Sequence, residues 1–347
     1  MTESLYVSCT QGLEAPLCQE LISLGLRAKA LSGGCAVDHA PLGSFVRVNV
    51  RSRLASRVSW ELGHVDSPRS LSKLRLAECV GPFSLAISES QGPRAQTPAE
   101  VWRNEAVKAW GAPVAGAEVQ LRLSKTGASV SVDTSGDLLY LRGARQETGK
   151  APLRETLAAG VLRLASWRPG EALWDIMCGS GTFLLEAGEQ VLGLQPGRAR
   201  HFAFEKFPGF DPKRLADEQQ PDAPTPTWLR GSDLNAGALG VTRRNAKRAG
   251  VLEKLDLQRL DATQLVKPDV APGLVIANLP YGRRVGNRFE LHGLYQAVGA
   301  CLRRSFTGWR FAFLLQEGED ALGLTIDRTT SVKNGGLPCH VVTGRVT

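Results

Sequence analysis

Paired metal ligands are missing from this chain of 347 residues. Its seven cysteines, Cys9, Cys18, Cys35, Cys79, Cys178, Cys301 and Cys339, form no CxxC pair, and their number is odd. That disfavours a disulfide framework or a zinc ribbon and suits a reducing compartment. The five histidines, His39, His64, His201, His292 and His340, are scattered without metal-ligand spacing, so no metal site is expected. No apolar run approaches the roughly 18–20 residues that a membrane span needs. The start, Met1-Thr2-Glu3-Ser4, lacks the basic residues and apolar core of a secretory signal. The expected setting is cytoplasmic, with no membrane partner. Internal repeats and low-complexity tracts are absent as well.

What is present is ordinary for a soluble globular protein. The chain is 43% apolar and 22% charged, which excludes wholesale disorder. At roughly 100–200 residues per domain, its length predicts two or three domains. Lys and Arg number 42 against 34 Asp and Glu, a formal charge of +8, and the pI is near 9.3. That excess permits a polyanionic partner without requiring one.

Residues 1–150 read as a small mixed α/β region. Leu5-Tyr6-Val7 predicts a short strand, and Leu13, Leu17, Leu21 and Leu24 form a helix-period stripe that Gly25 ends. Phe45–Val50 alternates like a half-buried strand. Val101–Trp110 predicts a helix introduced by Thr97-Pro98. Two alternating runs, Val119–Leu123 and Val130–Val132, flank Lys125-Thr126-Gly127 and predict a hairpin.

From residue 151 to 347, strands alternate with helices as in an open α/β sheet. Strands are expected at 172–176, 229–233, 255–260, 274–278 and 309–315, helices at 157–164, 183–191, 236–249 and 291–304, and a closing hairpin over 324–332 and 339–346. Six prolines between Gln195 and Thr227 predict an insertion or long loop.

Two turns carry candidate chemistry. Asp175-Ile176-Met177-Cys178-Gly179-Ser180-Gly181-Thr182 joins a strand to a helix through two glycines. Such a turn lets backbone N–H groups approach a ligand at the carboxyl edge of a sheet, although a tight turn that binds nothing has the same pattern. Asn278-Leu279-Pro280-Tyr281-Gly282 also ends a strand. There an amide oxygen can accept hydrogens from an exocyclic amine while an aromatic ring stacks on the base; a polar turn with a half-buried tyrosine is the plainer alternative. Asp233 and Asp261 each follow a strand. A carboxylate is acceptor-only, suited to ribose hydroxyls at the first place and an adenine amine at the second. Taken singly, each also fits a helix cap or turn residue. The four features in chain order are far harder to explain by chance.

In this combination the sequence resembles the THUMP-domain RNA guanine-N2 methyltransferases, and most closely the bacterial large-subunit (23S) rRNA enzymes. The resemblance runs along nearly the whole chain. It rests on Thr10-Gln11-Gly12-Leu13-Glu14, Ser52–Arg57, Asp133-Thr134-Ser135-Gly136, Leu141-Arg142-Gly143 and Ala151–Glu155. The Asp175–Thr182 turn, Phe204-Glu205-Lys206, the Asn278–Gly282 turn and Lys333-Asn334-Gly335 complete it. One departure is Leu279, where Asn-Pro-Pro-Tyr is commoner; with Arg283-Arg284-Val285-Gly286 it is similar to the tRNA branch.

The resemblance implies a Rossmann-like S-adenosylmethionine-dependent methyltransferase domain at 151–347, preceded by an α/β THUMP-containing RNA-binding region at 1–150. It implies that Asn278, Pro280 and Tyr281 are catalytic. Asp175, Cys178, Gly179, Gly181 and Thr182 would surround the methionine end of the cofactor, Asp233 its ribose, and Asp261 with Ala262 its adenine, with Asn278 also among the cofactor-binding residues. Asp175 and Asp233 are 58 positions apart, against about 20 in a compact dinucleotide fingerprint; the proline-rich insertion accounts for the excess. Cys178 reads as a small packing residue rather than a nucleophile. Arg142, Arg145, Lys150, Arg154, Arg283, Arg284 and Arg288 could guide RNA through its phosphates, whereas Arg243, Arg244, Lys247 and Arg248 read as an ordinary exposed helix face. The expected partner is RNA, rRNA first and tRNA second. The competing readings are a DNA amino-methyltransferase and a non-catalytic S-adenosylmethionine-binding RNA chaperone or assembly factor. The sequence is silent on oligomeric state.

Overall fold

The computed structural model describes residues 2–89, 95–147, 153–281 and 288–347. It divides into two compact units, the first comprising Met1–Cys9, Leu17–Leu139 and Arg200–Gln219, the second Thr10–Pro16, Tyr140–Ala199 and Gln220–Thr347.

The elements up to residue 139 are β1 (Thr2–Cys9), α1 (Glu14–Ser23), β2 (Ala28–Leu31), β3 (Gly34–Pro41), α2 (Ser44–Arg51), β4 (Ala55–Val65), α3 (Leu76–Val80), β5 (Phe83–Glu89), α4 (Ala99–Trp110), β6 (Ala117–Ser124) and β7 (Gly127–Asp133). Seven strands form one sheet in the order β2-β3-β1-β4-β7-β6-β5. Neighbours are antiparallel except β5 and β6, which run parallel. The expected hairpin is β6–β7, and its period-2 pattern is met by burial of Val119, Leu121, Leu123, Val130 and Val132.

The expected strand at 45–50 is instead helix α2. Its β-branched residues favour a strand locally, but the start of the helix is capped from a distance. The buried carboxylate of Glu3 accepts the N–H groups of Gly43 at 2.8 Å and Phe45 at 3.0 Å, satisfying donors that a helix N-terminus leaves open. The helix then turns Asn49 inward, where its amide donates to Thr134 at 2.8 Å and accepts from Ser135 at 2.6 Å. Arg57 pairs with Asp133 beside this network. Two of the resemblance motifs are therefore held together inside one folded unit.

The remaining elements are α5 (Glu155–Leu164), β8 (Leu173–Asp175), α6 (Thr182–Val191), α7 (Pro212–Gln219), β9 (Leu229–Ser232), α8 (Ala236–Ala249), β10 (Leu255–Gln258), β11 (Leu274–Asn278), α9 (Arg288–Ser305), β12 (Arg310–Leu315), β13 (Ile326–Asn334) and β14 (Leu337–Arg345). The second sheet has the order β10-β9-β8-β11-β12-β14-β13. Strands β8 to β12 are parallel, and the closing hairpin β13–β14 adds antiparallel to β12. The order reverses between β8 and β11, and open α/β sheets bind ligands outside the carboxyl ends of the strands at such a point. Trp174, Phe306, Trp309, Phe311 and Phe313 fill the core on one face.

The motif Thr10–Glu14 belongs to this second unit. Gly12 has φ +92°, and a side chain there would run into the Ser331 carbonyl of β13; Leu13 packs against Gly160 of α5. The proline-rich stretch is only partly loop, because residues 200–219 belong to the first unit and carry α7. Glu218 of α7 pairs with Arg47 at 2.9 Å and Arg51 at 2.8 Å, and Arg200 donates to the carbonyls of Asp137 and Leu138 at 2.6 and 2.8 Å. Phe204 packs on Phe45, ring centroids 5.5 Å apart. Among the described residues no helix is long and apolar enough to cross a membrane, and no group of three or more His, Cys, Asp or Glu could hold a metal ion.

Candidate active site

The carboxyl ends of β9, β8 and β11 lie side by side, because these three strands are neighbours. Asp175 at the end of β8 is paired with Gly231 on one side and Ile276 on the other. Asp233 follows β9 by one residue, Asp261 follows β10 by three, and Asn278 closes β11.

The turn after β8 is fixed by backbone bonds to its neighbours. Cys178 donates its N–H to Ser232 O at 2.9 Å, and Gly179 donates to the Asp233 carboxylate at 2.9 Å. The Thr242 hydroxyl of α8 donates to Gly179 O at 2.7 Å. The two glycines do different work. A Cβ on Gly181 would lie 2.7 Å from the Thr242 methyl, so this glycine lets α6 and α8 meet, whereas a Cβ on Gly179 would meet none of the described residues within 4 Å. Backbone at Gly179 is thus open to a ligand, as a cofactor cradle needs.

Asp175 is only 1% exposed. Burial, and secondarily the Asp233 charge, push its carboxyl well above the usual range against a hydrogen bond from the Met177 N–H. Burial and the charges of Asp175 and Asp233 also push the Cys178 thiol up, which keeps it protonated and unsuited to nucleophilic attack. Thr182 is buried, and its hydroxyl accepts from Arg145 at 2.6 Å. Asp261 accepts the N–H and hydroxyl of Thr263 at 2.8 and 2.7 Å, and Ala262 packs into the core.

At the end of β11, the Asn278 side-chain oxygen is buried and has no hydrogen-bond partner among the described residues. The turn that follows is held by more distant residues. The Tyr295 hydroxyl of α9 donates to Pro280 O at 2.8 Å, and Asn334 donates from its amide to the Tyr281 hydroxyl at 2.7 Å. Burial pushes the Tyr281 phenol up to about 12, so it is protonated at neutral pH. Thr242 and Tyr295 carried no signal in the sequence, whereas Asn334 lies in one of the resemblance motifs without a role attached.

Two of the arginines expected to guide RNA are interior. Arg142, 5% exposed, pairs with Glu186 and lies 3.9 Å from Glu189. Arg145 binds Glu155 at 2.8 Å as well as Thr182. Carboxylates on the buried faces of α5 and α6 need such cations, and charge alone did not reveal which arginines supply them. Arg154 is exposed, its guanidinium 4.8 Å from the Tyr140 ring centroid. Arg244 and Arg248 clasp Glu147, and their hydrogen bonds pull its carboxyl down to about 2. Lys150, Gly282, Arg283, Arg284 and the Arg288 side chain lie outside the described residues.

A parallel sheet with this strand order, a two-glycine turn after its first strand and acids after the next two define a Rossmann-like methyltransferase that uses S-adenosylmethionine. Comparison with known proteins agrees. The family model described as RMKL-like, methyltransferase domain, matches residues 142–343, and that of the RlmL ferredoxin-like domain matches residues 4–59. The chain belongs to the RMKL-like methyltransferase family.

A protein of Synechocystis sp. with a provisional RNA methyltransferase name is 33% identical over 98% of this chain and 96% of its own length. Ribosomal RNA large subunit methyltransferase K/L of Chromohalobacter salexigens is 31% identical over 98% of this chain, which spans 52% of that relative. Among solved structures, SMU.472 in complex with SAH has a TM-score of 0.85 at 24% identity, covering 100% of this chain and 98% of its own. TrmN from Thermus thermophilus has a TM-score of 0.73 at 23% identity, covering 99% and 100%. At these identities the two structures speak for the fold.

Proposed function

We propose that this enzyme methylates the exocyclic N2 amine of a guanine in RNA, and that the RNA is 23S rRNA. The observation that carries the reading is the buried oxygen of Asn278 at the end of β11, which has no hydrogen-bond partner among the described residues. A buried acceptor without a donor costs stability, and an exocyclic amine would supply the missing donor. The large-subunit rRNA names of the K/L relatives support the substrate.

The guanine amine is a weak nucleophile because its lone pair is delocalised into the ring. Asn278 accepts one of its hydrogens and turns the lone pair outward. Tyr281 stacks on the extruded base, and Pro280 keeps the turn rigid. When bound, S-adenosylmethionine supplies a methyl group on a sulfonium, a good leaving group, so alignment can provide much of the barrier reduction. The turn from Asp175 to Thr182, with Cys178, Gly179 and Gly181, would hold its methionine end, Asp233 the ribose, and Asp261 with Ala262 the adenine.

Residues 1–150 would bind the RNA and residues 151–347 would act on it, in the cytoplasm. In support of RNA binding by the first unit, which residues 200–219 complete, that unit contains a cavity of about 230 Å³ lined by Phe45, Trp60, Phe204, Phe207 and Arg214; aromatic faces and a guanidinium suit unpaired bases.

The test is methyl transfer from tritiated S-adenosylmethionine to separate pools of unmodified rRNA, tRNA and DNA, followed by digestion to nucleosides. N2-methylguanosine from rRNA is the expected product. Label in tRNA alone moves the substrate to the other branch, label in a DNA base overturns the reading, and label nowhere despite cofactor binding favours an assembly factor.

A further inference from the structure

We infer that Asn334 is a positioning residue for methyl transfer, fixing the ring of Tyr281 by holding its hydroxyl. The inference rests on the stacking role given above to Tyr281, and adds a residue from the far end of the chain to that site.

Asn334 is the last residue of β13, is 6% exposed, and reaches Tyr281 across 53 positions of sequence. Its place is set by the hairpin: Asn334 is paired with Leu337, and the two residues between them, Gly335 and Gly336, have φ +58° and +90°, the left-handed pair that a tight two-residue turn requires. Beside the same phenol lies the buried thiol of Cys339 on β14, whose influence adds to the rise of the phenol. The Tyr281 oxygen is therefore engaged by protein groups, an amide that donates to it and a sulfur beside it. Its contribution to the reaction is to anchor the ring.

Tyr281 sits in a turn just beyond the end of β11, and at its neighbour Pro280 the carbonyl is held by Tyr295. That bond fixes the backbone and leaves the phenol ring free to turn about its side-chain torsions. A stacking platform that must be ordered as the base arrives loses part of its contact energy to side-chain entropy. The Asn334 bond removes that loss in advance. This gives the Lys333-Asn334-Gly335 motif a role at the active site.

The experiment is a double-mutant cycle with Asn334→Ala and Tyr281→Phe, read as kcat/KM for methyl transfer and as cofactor affinity by calorimetry. Each single variant should lose about tenfold in kcat/KM, the pair no more than either alone, and S-adenosylmethionine affinity should stay within about twofold. Multiplicative losses would show that Asn334 acts on the hairpin alone, and an unchanged kcat/KM in Asn334→Ala would also overturn the proposal. Should Asn334→Ala fail to fold, Asn334→Leu keeps the branched shape without the donor. A second readout needs no RNA. The chain has four tyrosines, so 3-fluorotyrosine labelling gives four fluorine resonances, of which Tyr281→Phe identifies one. Asn334→Leu should move that resonance, and an unmoved line overturns the contact. If the wild type methylates no RNA, the proposed function fails while the fluorine spectrum still decides this inference.

Discussion

The carboxylate of Asp233 accepts the backbone N–H of Gly179 at 2.9 Å, tying the end of one strand to the turn after its neighbour. Its other oxygen accepts the N–H of Asn235 at 2.8 Å. The acid that would receive the ribose thus also shapes the turn that would receive the methionine end. Asp233→Ala should weaken S-adenosylmethionine by about tenfold to a hundredfold, the scale of a lost charged hydrogen bond. Isothermal calorimetry decides it, and an unchanged affinity would remove Asp233 from the cofactor site.

Asn278 offers a change in which stability and activity part company. Its buried oxygen has no partner among the described residues, so Asn278→Ala removes an unmet acceptor and should leave the melting temperature equal or slightly raised. Methyl transfer under single-turnover conditions should fall by about two to three orders of magnitude, the scale seen when a group that polarises the reacting centre is removed. A variant that melts several degrees lower would mark the amide as a structural bond instead.

Glu61 on β4 should make stability depend on pH. Burial, opposed by the Arg122 charge, pushes its carboxyl up from 4.5 to about 7. Since the folded value lies above the unfolded one, the folded state holds the proton more tightly. The contribution is full below about 4.5 and is lost as pH rises through about 7. At 1.36 kcal/mol per pH unit the loss is on the order of 3 kcal/mol. Urea unfolding at pH 5 and pH 8 should show the difference in the wild type and a smaller one in Glu61→Gln.

Arg142 should prove structural. Replacing it with Ala takes the guanidinium away from the buried Glu186, while Glu189 keeps Arg198 at 2.9 Å, a loss of about 3–5 kcal/mol. The urea midpoint should fall accordingly. A variant of unaltered stability with a reduced salt dependence of RNA binding would instead return Arg142 to the phosphate-contacting set.

Much of the catalytic half was legible because its signals are local. Strands of the second sheet fall where apolar runs end in a turn residue, as at Asp175 and Asn278, and helix α8 spans the same Ala236–Ala249 stretch that the sequence predicts. What the sequence hid depends on distant partners. Helix α2 needs Glu3, some 40 positions away, to overrule the strand preference of its valines. Arg142 and Arg145 look like any exposed basic pair until Glu186 and Glu155 are found beside them. For the proline-rich stretch, composition announced a break in the α/β pattern but could not say that Glu218 and Phe204 belong with Arg47 and Phe45.

The return of residues 200–219 to the first unit has a consequence for how such a gene can change. The chain passes from one unit to the other five times, so no single cut frees either unit intact. A fragment ending near residue 150 would lack α7 and the Phe204 and Phe207 rings that pack on Phe45. Neither half can be traded to another protein as a cassette, and recombination that preserves function has to exchange the gene whole.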